Sequence, residues 1–84
     1  SEYNLKIVAE VVLNVHHVLA SCQDDIKKIK KVYSKDIAFG QCSQFLKDFG
    51  LNNVEQIPVE STAKAAQLAL EDKNSAAICS EVAA

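Results

Sequence analysis

Residues 31 to 81 alternate between short strand-like runs and helical stretches, and no other feature restricts the fold as much. Lys31-Val32-Tyr33-Ser34 reads as a strand. Asp36 to Phe49 reads as a helix, because Ala38, Cys42, Phe45, Leu46 and Phe49 recur at the spacing of one apolar helical face. Asp36 and Gly50 punctuate its start and stop. Val54 to Val59 reads as a second strand, with Pro58 near its end. Ser61 or Thr62 caps a second helix, whose inward stripe is Ala65, Ala66, Ala69 and Leu70. Ala76 to Cys79 reads as a third strand, and Ser80-Glu81 as the start of a further helix. Strand and helix alternating through short links imply right-handed crossovers and parallel pairing.

The opening run, Leu5 to Cys22, is rich in Val, Ile and Leu, which favours strand over helix. It is too long for one ordinary strand, so it is either two strands or one bent strand, with a break near Asn14. Asp24-Asp25 then caps a helical turn around Ile26 to Ile29. The expectation is one α/β domain over residues 1–84: a small, mostly parallel sheet with helices on both faces. A chain near this size hides only about 60% of its unfolded surface, so partners would help it.

Charge and composition remove several classes of function. All nine basic residues are Lys and the net charge is −2. Without Arg, the bidentate base and phosphate contacts typical of nucleic-acid binding are missing, and no such partner is expected. The Lys27, Lys28, Lys30, Lys31 cluster reads as a solvated face. No apolar run approaches the ~18 residues of a membrane helix, and no signal-peptide layout appears, so no membrane partner is expected. Cys22, Cys42 and Cys79 are odd in number and widely spaced, which fits reduced thiols in a cytoplasmic protein.

Few residues qualify for chemistry. His16 and His17 are adjacent, so on a strand they point to opposite faces and cannot chelate one metal; both read as structural, as does Glu10. No zinc spacing, phosphate loop or nucleophile motif is present, and neither metal nor cofactor is expected. The positions that stand out are Ser34, Ser61 and Ser80. Each lies near the carboxyl end of an expected parallel strand, where open α/β sheets bind ligands and where helix N-termini favour anions. Ser and Thr are also the preferred N-caps of any helix, so spacing alone leaves both readings open.

Ile7-Val8-Ala9-Glu10-Val11-Val12-Leu13-Asn14-Val15-His16-His17 resembles the Ile-Val-Gly-Glu-Ile-x-Leu-Pro-Ile-His-His segment of prephenate dehydratases. Ile29-Lys30-Lys31-Val32-Tyr33-Ser34 with Gln41-Cys42 is similar to that family's Ile-Lys-x-Val-Tyr-Ser-His-Pro-Gln-x-x-x-Gln-Cys. Two further blocks, Val59 to Ala66 and Ala76 to Ala84, follow in the family's order, so the resemblance covers nearly the whole chain. Asn14 stands where the family has Pro, and Lys35-Asp36-Ile37 where it has His-Pro-Gln. These departures bear on how the first helix starts and on fine specificity.

The resemblance implies a two-domain enzyme similar to type II periplasmic binding proteins, with this chain as the excised second lobe and the first lobe absent. Prephenate, a dicarboxylate, would sit between the lobes and lose carbon dioxide and hydroxide to become phenylpyruvate, in phenylalanine biosynthesis. Ser34 and Gln41 match the family's cleft residues, and Ser61, Thr62 and Ser80 are further binding candidates. The family's Thr-Arg motif is absent, since Thr62 is the one Thr and is followed by Ala63. The lobe alone is therefore expected to be inactive, and the parent enzyme to be a homo-oligomer. Two other readings fit a domain of this kind: a ligand-sensing α/β lobe of a solute- or effector-binding protein, and the regulatory domain of such enzymes. The regulatory domain runs β-α-β-β-α-β, unlike the order read here.

Overall fold

The computed structural model describes residues 5–12, 15–35, 44, 46–51 and 53–82. Five strands form one sheet: β1 (Lys6–Val12), β2 (Val15–Ser21), β3 (Lys31–Lys35), β4 (Glu55–Val59) and β5 (Ser75–Val82). Their spatial order is β1-β2-β5-β3-β4. A 3-10 turn, Ile26–Lys28, joins the opening strands to β3, and its N-cap Asp25 accepts a hydrogen bond from the Lys27 N–H at 2.9 Å. One ten-residue helix, α1 (Thr62–Glu71), connects β4 to β5.

β3 pairs in parallel with both β4 and β5, as alternation of strand and helix requires. The opening run breaks between Val12 and Val15 into two strands rather than bending as one. Those strands pair antiparallel, and β2 then docks antiparallel on β5, with Val15 opposite Val82 and Ser21 opposite Ala76. The expectation of a mostly parallel sheet is thereby corrected: two pairings are parallel and two antiparallel, a mixed sheet. A second correction follows from the same contact. Ser80 and Glu81 do not start a helix, because β5 stays paired with β2 through His17 and His16 and runs on to Val82.

The pleat distributes the core between two faces. Val32, Ala76 and Ile78 belong to one cluster, with Ala9, Leu19, Ile29, Leu46 and Leu51. Their strand neighbours Tyr33 and Ala77 belong to the other, with Ala65 and Ala69 of α1. Such alternation is the mark of a sheet covered on both sides. Of the four residues expected to form the inward stripe of α1, Ala65 and Ala69 are fully buried; Ala66 and Leu70 are half-buried, and Leu68 packs in their place.

Most of the expected first helix lies outside the described residues, but its end is well defined. Gln44 and residues 46–48 are helical. Gly50 adopts φ 75°, its N–H bonds the Lys47 carbonyl at 3.0 Å, and the Leu51 N–H bonds the Leu46 carbonyl at 2.8 Å. That is a Schellman stop, with a buried Leu46–Leu51 contact closing it. Only glycine takes that backbone conformation without strain.

Buried polar groups at the amino ends of β3 and β5 satisfy one another. The Ser21 hydroxyl donates to the Ser75 carbonyl at 2.5 Å and accepts from the Gln23 N–H at 3.0 Å. The Gln23 amide donates to Asn74 Oδ1 at 3.2 Å, and the Ser75 hydroxyl donates to the Asp72 carbonyl at 2.7 Å. This end of the sheet is closed by its own hydrogen bonds. Cys22 is a free thiol, and Cys42 lies outside the described residues.

Candidate functional site at the carboxyl edge of the sheet

Because β3, β4 and β5 run the same way, their carboxyl ends share one edge. Ser34, next to last in β3, is fully buried, on the face that carries Val32. Its hydroxyl has no hydrogen-bond partner among the described residues. A buried hydroxyl left unpaired costs about 1–3 kcal/mol, so such groups are uncommon in folded proteins and call for an explanation.

Ser61 follows β4 and caps α1: its hydroxyl accepts from the Lys64 N–H at 3.0 Å, and its carbonyl from the Ala65 N–H at 3.1 Å. A cap of this kind is worth about 1 kcal/mol to the helix. Thr62 is the first helical residue and is half-buried. Two cations stand nearby in the chain: Lys35, exposed at the end of β3, and Lys64, half-buried in the first turn of α1. Glu60, exposed between β4 and the cap, and Glu81, near the end of β5, offset these two charges, so the helix dipole is what remains to favour an anion here. Ser80 sits within β5 opposite His17 of β2. Gln41 lies outside the described residues. The Ser34 hydroxyl lies on the face that carries Val32, whereas the helix capped by Ser61 and begun by Thr62 packs on the opposite face with Tyr33 and Ala77. The structure therefore does not bring these side chains together; Ser61 is committed to capping, and the Ser34 hydroxyl has no partner among the described residues. Among the described residues, no group of three or more His, Cys, Asp or Glu is arranged to hold a metal ion.

The paired histidines separate as their adjacency requires. His16 is half-exposed and its Nε2 lies 2.8 Å from the Glu10 carboxylate, whereas His17 is buried. Desolvation, and secondarily the charge of His16, hold the His17 imidazole below its ordinary value. The unfolded chain therefore takes up that proton at higher pH than the folded one. Stability contributed by His17 is present above the unfolded value of about 6.5 and is lost as pH falls through the lower folded value. Urea melts between about pH 7 and pH 5 are expected to show this decline, and His17→Gln to flatten it. An unchanged slope in the variant would exclude His17 as the source. Asp24, held low by its bond to Lys6, acts only below its ordinary value of 3.8 and leaves that window untouched.

Comparison with known proteins adds the deciding observation: the family model described as prephenate dehydratase matches residues 1–84, the entire chain. The chain belongs to the prephenate dehydratase family. A bifunctional chorismate mutase/prephenate dehydratase of Aquifex aeolicus (strain VF5) is 45% identical over 83 residues, covering 99% of this chain and 23% of the relative. A prephenate dehydratase of Methanocaldococcus jannaschii is 38% identical over 71 residues, covering 84% of this chain and 24% of the relative. A bifunctional chorismate mutase/prephenate dehydratase of Stutzerimonas stutzeri is 36% identical over 84 residues, 23% of its length. This prephenate dehydratase family member therefore spans about a quarter of the length of the curated relatives it matches. The family resemblance drawn from four sequence blocks holds over the whole chain.

Proposed function

We propose that this domain forms one wall of the substrate cleft in a longer prephenate dehydratase, which converts prephenate to phenylpyruvate in phenylalanine biosynthesis. The observation that carries the reading is the buried Ser34 hydroxyl at the carboxyl edge, which has no partner among the described residues, in a chain matched by the family from end to end. A ligand oxygen in a cleft can complete such a group. In this reading Ser34 and Gln41 meet the substrate, and Ser61, Thr62 and Ser80 are further candidates at the strand ends. The N-terminus of α1 offers free N–H groups and a partial positive charge for a carboxylate.

The reaction breaks the bond to the departing carboxylate and expels the ring hydroxyl as the ring becomes aromatic. The hydroxyl leaves readily only if a donor protonates or hydrogen-bonds it. No Arg is present and Thr62 precedes Ala63, so a Thr-Arg donor pair belongs to the remainder of the enzyme. The cleft is completed by a first lobe similar to that of type II periplasmic binding proteins, and the parent enzyme is a cytoplasmic homo-oligomer. Among the described residues no helix is long and apolar enough to cross a membrane.

Assay of the 84-residue chain and of the full enzyme on prephenate tests this directly. The full enzyme is expected to release phenylpyruvate and the lobe alone to release none. Gln41→Ala in the full enzyme is expected to lower kcat/KM by roughly 10- to 100-fold, the worth of one hydrogen bond to a charged group. Turnover by the lobe alone would overturn the division of labour, and an unaffected Gln41→Ala enzyme would remove Gln41 from the cleft.

A further inference from the structure

β1 and β2 bury one of their faces and leave the other open. Ala9 and Leu19 are buried on the face that carries Val32. On the opposite face Val18 and Ala20 of β2 are half-buried, and Ile7, the partner of Ala20 on β1, keeps 64% of its surface exposed. α1 lies on that open face, but it sits chiefly over β5 and β3. It also carries a second apolar stripe. Ala65 and Ala69 pack into the sheet, whereas Ala63, Ala66 and Leu70 line a trough with Leu5 and Gln67. Leu5 directly precedes β1, so the trough runs between α1 and the β1 side of the sheet. A helix with apolar residues on two sides is ordinarily packed on both. The open area has the width of one helix: β2 and β1 lie about 5 and 10 Å beyond β5 at ordinary strand spacing, and a helix with its side chains is about 10 Å across.

We propose that this open face is the seat of an amphipathic helix from the same polypeptide, in the segment that follows β5 of the longer enzyme. The inference rests on the reading above only in making this chain one domain of a longer protein; the match covers 23% and 24% of two curated relatives. Topology selects the occupant. The connection from β4 to β5 passes β3 with α1 on this face. Crossovers in a sheet keep one hand, so a helix that follows β5 and travels on in the same direction, toward β2 and β1, falls on the same face, beside α1. Its apolar side rests on Ile7, Val18 and Ala20, and its flank fills the trough against Ala63, Ala66 and Leu70.

The test places a photoreactive phenylalanine analogue in the full enzyme, in place of Ile7 and separately in place of Gln67, and identifies the captured peptide by mass spectrometry. Both positions are expected to capture residues that follow β5 in the same polypeptide. Capture of a second copy, capture of a segment that precedes β1, or no capture from either position overturns the proposal. Ile7→Lys gives an independent reading. It is expected to lower the melting temperature of the full enzyme by about 5 °C or more, and that of the 84-residue chain, where the site is open, by less than about 2 °C. Equal shifts in the two proteins overturn the proposal as well. A full enzyme that fails to convert prephenate is a different result: it sinks the functional reading and leaves the capture experiment standing.

Discussion

Leu19→Ala is expected to remove a large share of the stability of the isolated domain. Leu19 has no exposed surface and lies opposite Ala9 of β1 and Ile78 of β5, so it joins the antiparallel half of the sheet to the parallel half. Truncating a buried leucine to alanine costs about 2–5 kcal/mol, through lost burial and the cavity left behind. An 84-residue chain has roughly 4–13 kcal/mol in total at typical per-residue stability. The site is also poorly placed to collapse, because its neighbours Ala9 and Ala76 are too small to move into the space. A urea midpoint lower by about 2 M is expected. A shift under about 0.3 M would mean that the two halves of the sheet do not share one core.

Ser34→Ala is expected to separate stability from activity. Alanine removes a buried hydroxyl that has no partner among the described residues while keeping the backbone and the Cβ. The isolated domain should be as stable as wild type or more stable, by up to about 1–3 kcal/mol, since an unpaired buried group disappears. In the full enzyme the same change should lower kcat/KM about 10- to 100-fold, because the ligand oxygen loses its donor. Residues kept for packing lose stability when truncated; residues kept for a ligand lose activity. If the domain instead melts earlier and the full enzyme turns over normally, Ser34 is a packing residue and the cleft wall is wrongly placed.

Local signals in the sequence locate most elements, and long-range pairing decides what they leave open. Gly50 after an apolar helical stripe marks the stop that the Leu46–Leu51 hydrogen bond confirms, because a Schellman end is made within six residues. Ser61 as the cap of α1 is equally local. The direction of the opening strands is not local: β2 pairs antiparallel with β1 and β5, and periodicity does not say which strand such a run will dock on. Ser80-Glu81 looks like a helix start, since Ser after an apolar run is a common cap, yet pairing with His16 and His17 keeps it in the strand. The serines near strand ends stand out in the sequence as candidates. Their differences do not, because burial of Ser34 against capping by Ser61 depends on which face of the sheet each occupies.

A structure of the full enzyme with a bound prephenate analogue bears most directly on whether the carboxyl edge is a ligand wall. The expected result is an analogue oxygen roughly 2.7–3.2 Å from the Ser34 hydroxyl, with the amino edge around Ser21 and Ser75 unchanged. An analogue bound elsewhere, with the Ser34 hydroxyl still unpaired in the sheet, would contradict it.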